Sequence, residues 1–119
     1  MNVTRPWGYY KVLSEEKGLY RVKLVVVSPR HRLSLQKHKN RSEHWVVVSG
    51  RAKITKEKHV YYLKRNESSY IPKNCVHRLE NPTSKPLKII EVQCGKVLRE
   101  TDIVRLSDDY RRVRRPLRA

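Results

Sequence analysis

LSLQKHKNRSEHWVVVSG, residues Leu33 to Gly50, is the stretch whose reading decides the fold. Gln36 and His38 stand two apart in an alternating run, so on a β-strand they project from one face while Lys37 points away. The polar residues Lys39 to Ser42 read as a tight loop. After it, Glu43, Trp45 and Val47 alternate with His44, Val46 and Val48 on a second strand. That returns Glu43 towards His38. Further on, IPKNCVHRLEN (Ile71 to Asn81) has Pro72 and Asn74 punctuating a turn before His77 opens another short strand. Gln36, His38, Glu43 and His77 are therefore predicted to converge as ligands of one divalent metal ion.

This spacing resembles the two signatures of the cupin superfamily. Gln36, His38, Glu43 and Gly50 match the first signature in register, and Pro72, His77 and Asn81 match the second. Asn66 and Asn74 stand where the second signature has glycines. Asn is the non-glycine residue that best tolerates positive φ, so both turns are expected to survive.

With 119 residues the chain is read as one domain around a single core. Phe is absent, so Val, Leu, Ile, two Trp and seven Tyr must build that core, and the β-branched excess favours strands. No apolar run approaches the ~20 residues needed to span a bilayer, and the N-terminus lacks a signal-peptide pattern. No membrane partner is expected, and the location is read as cytoplasmic. Cys75 and Cys94 are too few for a disulfide framework and lie outside any CxxC arrangement, so both are read as reduced thiols. The 28 Lys and Arg against 11 Asp and Glu give a net charge of +17. The basic residues follow no recognition-helix pattern and cluster only in the tail RRVRRPLRA. The charge is therefore read as a field that draws in small anions rather than as a specific nucleic-acid surface.

The rest of the chain is read as follows. Residues 1–19, with RPWGYY, form an N-terminal arm in which Pro6 and Gly8 prevent a regular element and Trp7 packs over the body. Residues 20–98 form an all-β jelly-roll barrel of about seven or eight short strands. They include Tyr20 to Ser28, Arg51 to Glu57, Val60 to Leu63 and Leu87 to Cys94. Residues 99–112 are a helical extension, with Thr101 capping a turn through Leu106. Residues 113–119 are a frayed basic tail.

From Arg5 to Arg112 the chain resembles the C-terminal domain of type II mannose-6-phosphate isomerases, usually fused to a mannose-1-phosphate guanylyltransferase. The matching stretches are RPWGYY, YRVKLVVV, LSLQKHKNRSEHWVVVSGRAKIT, YIPKNCVHRLENP, PLKIIEVQCG and DIVRLSDDYRR. The resemblance implies a cupin double-stranded β-helix and a metal-dependent isomerase interconverting mannose 6-phosphate and fructose 6-phosphate. This stretch contains no glycine-rich nucleotide loop, so no guanylyltransferase activity is expected of it. Arg30 departs from the family pattern where a glycine is usual, and Val97, Arg99 and Arg111 replace Tyr, Gly and Gly.

The chemistry of the residues agrees with an isomerase. Two imidazoles, a carboxylate and an amide leave a bound divalent ion with about one residual positive charge. Such an ion polarises a carbonyl and stabilises an enediolate while a proton moves between neighbouring carbons. Zinc suffices, and manganese, cobalt or iron would also fit. Arg41, Arg78 and Lys23 are the cations read as holding the sugar phosphate, with Arg41 and Arg78 counted in the catalytic set. His44 and Glu91 are the candidates by type for proton transfer, with Glu91 counted in the catalytic set; His44 should point opposite to Glu43, and the sequence does not identify the base. Two rivals are a non-catalytic sugar-phosphate-binding cupin, serving a separate nucleotidyltransferase chain, and a non-haem iron dioxygenase. A homodimer through sheet edges or the N-terminal arm is also expected.

Overall fold

The computed structural model describes residues 1–112; the basic tail at 113–119 lies outside the described residues. Eleven strands, and no helix, are found among the described residues. They are β1 (Asn2–Arg5), β2 (Gly8–Glu16), β3 (Tyr20–Val27), β4 (Leu35–Lys37), β5 (Ser42–Ser49) and β6 (Ala52–Lys56). β7 (His59–Leu63), β8 (Ser68–Ile71), β9 (His77–Glu80), β10 (Leu87–Cys94) and β11 (Val104–Ser107) follow. One sheet runs β1-β2-β3-β10-β5-β8 and the other β11-β4-β9-β6-β7. Every named pairing is antiparallel.

The core follows from the period of two. On β5, Glu43, Trp45 and Val47 are buried while His44 and Val48 are exposed. Val25 and Val27 of β3, Ile54 of β6, Leu79 of β9, and Leu87 and Ile89 of β10 join Trp45 and Val47 in one cluster between the sheets. Burying each such side chain stabilises the fold by about 1.5–3 kcal/mol before the entropy of ordering it is set against this.

Two parts of the sequence reading need correction. The N-terminal stretch is regular: β1 and β2 form a hairpin that joins the sheet through β3. Pro6 and Trp7 lie in its turn, and Trp7 is buried in the core as expected. The helical extension is absent. Val104 to Ser107 instead pairs with β4. The edge of β4 offers unsatisfied ladder groups, and Asp102, which could have helped begin a helix, uses its carboxylate to accept the amides of Lys39 and Asn40.

Asn66 and Asn74 both take positive φ, at 73° and 61°. The Asn74 amide also donates to the carbonyl of His38 at 2.7 Å, tying the turn before His77 to the loop after β4. Asn74→Gly is expected to keep stability within about 0.5 kcal/mol, and Asn74→Ala to lower it by about 1 kcal/mol, because alanine lacks Asn's tolerance of this region. Chemical denaturation of the two variants checks this.

Candidate metal centre

β4, β5 and β9 carry the predicted ligands to one place. Gln36 is in register with His77 across β4 and β9, and Glu43 is in register with Gln93 across β5 and β10. Side chains at paired positions share a face, so all four enter the space between the sheets. His38 follows β4 directly and continues its alternation, with Ser34, Gln36 and His38 all buried. Its loop is held from behind by Gly95, where a Cβ would lie 2.3 Å from the carbonyl oxygen of Asn40.

One ligand atom from each of His38, Glu43 and His77 falls within 4.8 Å of the others. His38 Nε2 lies 3.5 Å from one oxygen of Glu43, and His77 Nε2 lies 3.9 Å from the other. The far side of each ring is anchored by the backbone: His38 Nδ1 bonds to the carbonyl of Asp102 at 2.6 Å, and His77 Nδ1 to that of Cys75 at 2.8 Å. A carbonyl accepts only from N–H, so each Nδ1 carries the proton and each Nε2 keeps its lone pair. His77 Nε2 is buried with no hydrogen-bond partner among the described residues. A buried acceptor in that condition is costly, and a cation beside Glu43 would satisfy it. The donor set therefore fits a divalent metal.

Electrostatics agree. Burial, then the Arg41 guanidinium, push His38 down to about 4. Burial lowers His77 as well. Both rings are thus neutral at neutral pH, the form that coordinates metal. Glu91 is pushed up to about 8 by burial and by the charge of Glu43. Trp45 Nε1 donates to both carboxylates, at 3.2 Å to Glu43 and 3.1 Å to Glu91, and Gln93 donates to the other Glu91 oxygen at 3.2 Å.

The cavity in front of these groups measures about 100 Å³. Arg41 folds into it: its Nε donates to Glu43 at 2.7 Å and its Nη2 lies 3.3 Å from His38 Nε2. Lys23 also lines the cavity, buried and paired with Glu100, its ammonium 4.0 Å from the centre of the Tyr10 ring. Gln36 lines it beside the triad and accepts from Ser34 Oγ at 3.3 Å. Arg78 is not brought there. It follows His77 on β9 and so faces the opposite way, bonding the carbonyls of Leu33 and Ser107. His44 likewise points outward against Tyr70. Sequence reasoning passed over Glu100, Gln93 and Arg105, which also line the cavity. Gln93 was legible, since it shares the face of Glu91 on β10; Glu100 was not, since it stands in an irregular segment.

The fold and this donor set define a cupin-type double-stranded β-helix protein. Solved structures agree at the level of fold: the Cnp3 cupin domain of Schizosaccharomyces pombe has a TM-score of 0.68 at 11% identity, covering 73% of this chain and 64% of that one. Oxalate decarboxylase of Bacillus subtilis has a TM-score of 0.78 at 16% identity, covering 89% and 30%. The chain belongs to the family described as Mannose-6-phosphate isomerase C-terminal, which matches residues 1–108. Alginate biosynthesis protein AlgA of Pseudomonas aeruginosa is 50% identical over 114 residues, 96% of this chain and 24% of its own length. Mannose-1-phosphate guanylyltransferase RfbM of Salmonella typhimurium is 47% identical over 105 residues, 88% of this chain and 22% of its own. The chain thus spans about a quarter of the length of the curated relatives it matches.

A pH prediction follows for metal-free protein. The folded pKa of His38 lies near 4, below its ordinary 6.5, so the unfolded chain binds the proton more readily. Its contribution is complete above pH 6.5 and is lost as pH falls towards 4. Glu91 acts in the opposite sense, losing its contribution as pH rises through about 8. The stability difference between wild type and His38→Gln, measured by denaturant titration in chelator, is therefore expected to shift against wild type as pH drops from 6.5 to 4. A difference independent of pH would contradict a neutral buried His38.

Proposed function

We propose that this domain is a metal-dependent isomerase interconverting mannose 6-phosphate and fructose 6-phosphate. The observation that carries this reading is the unpartnered Nε2 of His77, which lies with His38 and Glu43 in one cluster, the latter two lining a cavity together with Arg41 and Lys23. Family membership supports the substrate class. His38, Glu43 and His77 would hold the ion, with Gln36 beside them as a fourth donor; the donors suit zinc, with manganese, cobalt or iron as alternatives. Bound there, a divalent cation supplies Lewis-acid polarisation of the substrate carbonyl.

The chain's own groups supply the rest. Glu91 stands beside Glu43 under the shared Trp45 N–H, and in this reading it accepts the proton from one carbon and returns it to the next. A carboxyl held near neutral pH suits a group that must do both. Arg41 and Lys23 present cationic donors to the sugar oxygens, and the apolar walls from Trp7, Val25, Leu79 and Ile89 exclude water. Arg41 bonds Glu43 here, and with that carboxylate committed to an ion the guanidinium would be available to donate to a substrate oxygen. A separate nucleotidyltransferase chain is the partner we propose, since one relative that this chain covers only in part carries the name guanylyltransferase.

Two measurements test this. Purified protein should hold about one divalent ion per chain and convert mannose 6-phosphate to fructose 6-phosphate, with chelation abolishing turnover and His38→Ala abolishing metal retention. Metal retention and phosphate-sugar binding without turnover would favour a non-catalytic cupin instead. Arg41→Ala should lower kcat/KM by about ten- to a hundredfold, the worth of a lost charge-assisted bond, with Arg41→Lys recovering only part. Unchanged kcat/KM in Arg41→Ala would remove Arg41 from the site.

A further inference from the structure

We infer that Arg105, flanked by Arg5 and Arg112, forms an anion subsite for the phosphate of the sugar on the β11 side of the cavity, beyond Gln36 from His38, Glu43 and His77. Arg105 stands on β11 in register with Gln36, which is itself in register with His77. The three side chains therefore share one face of the sheet, and Arg105 is two strands from His77, about 10 Å across the ladder. An open hexose chain and a guanidinium side chain together span that interval. Arg105, Arg5 and Arg112 all line the cavity.

Arg105 is the member prepared for a ligand. Its Nε is buried with no hydrogen-bond partner among the described residues. Arg105 itself is half-buried, so its outer nitrogens stay open to the cavity while the Nε lacks a partner, a deficit that a phosphate oxygen corrects. Burial depresses the Arg105 pKa, and the charges of Arg112 and Arg5 lower it further, so three cations gather with Asp108 as the nearby anion. Asp108 is already committed to Arg112 through two contacts of 2.8 and 3.0 Å. Arg5 lies over the Tyr10 ring, 5.4 Å from its centre, and donates to the Thr4 carbonyl. The cluster thus keeps excess positive charge around one buried donor. At the other end Arg41 is held by Glu43, and Lys23 by Glu100. These two cations are neutralised where the carbonyl would lie, which leaves the β11 side for the phosphate.

The assignment rests on the sugar-phosphate reading for its ligand, so the test separates the two. Metal-loaded full chain is titrated calorimetrically with mannose 6-phosphate, inorganic phosphate and unphosphorylated mannose, and KM and kcat are measured alongside. Arg105→Gln is expected to weaken mannose 6-phosphate and inorganic phosphate about ten- to a hundredfold and to raise KM more than it lowers kcat. Metal content and mannose binding should not change, and Arg105→Lys should recover part of the phosphate affinity. Arg5→Gln provides a second variant should Arg105→Gln fail to fold, with a smaller loss in the same direction. Wild-type affinity for both phosphate probes in folded Arg105→Gln would overturn the subsite, whether or not the protein isomerises. Arg105-dependent phosphate binding without any turnover would uphold the subsite and sink the isomerase reading.

Discussion

Two backbone carbonyls organise the site. Asp102 and Cys75 each accept the Nδ1 proton of a buried histidine, which fixes both tautomers and turns both Nε2 atoms towards Glu43. Neither ring could reorient without leaving a buried N–H unpaired. Both carbonyls belong to segments placed by long-range contacts. Asp102 is locked onto the ligand loop by its own carboxylate, and the turn containing Cys75 is tied to His38 through Asn74. The segment after β10 therefore helps build the centre, although it contributes none of its predicted ligands.

The convergence of Gln36, His38, Glu43 and His77 was legible because it depends on strand alternation and turn length, which are local properties. The core was legible on the same ground: Glu43, Trp45 and Val47 face inward and His44 outward, as a period of two requires. What was not legible depends on partners distant in sequence. Val104 to Ser107 is short and polar enough to suit a helical turn, and only the free edge of β4 makes it a strand. The N-terminal hairpin was obscured because Pro6 and Gly8 look like breakers, when they only shape the turn between β1 and β2. Arg41 illustrates the same limit. Its loop position suggested a cation held for the phosphate, and only the folded loop reveals that it is buried and bonded to Glu43.

The departures from the family pattern have a physical counterpart in the backbone. Arg30 and Arg111, two of the positions read from the resemblance as usually glycine, adopt φ of 62° and 60°. The turns have kept a glycine-like conformation with side chains that pay about 1–2 kcal/mol for it. Arg30 offsets part of this through a 2.6 Å bond from its Nη1 to the Pro82 carbonyl. Neither residue is among those lining the cavity. These two departures therefore bear on turn stability first, while Val97 and Arg99 take no such conformation.

Net charge alone does not describe the cavity. A surplus of +17 suggests a polyanion partner, but the cavity holds Glu43, Glu91 and Glu100 among its cations. Its organisation is a gradient rather than a uniform field. Near the histidines, Glu43 and Glu100 are matched by Arg41 and Lys23, and the imidazoles with Glu43 favour a metal ion; near Arg105, cations outnumber carboxylates and favour an anion. A ligand that carries a polarisable carbonyl at one end and a dianion at the other is stabilised at both ends only in one orientation. A simple polyanion would gain at the Arg105 end and meet paired charges at the other, so on the proposed reading the arrangement favours a short, asymmetric molecule.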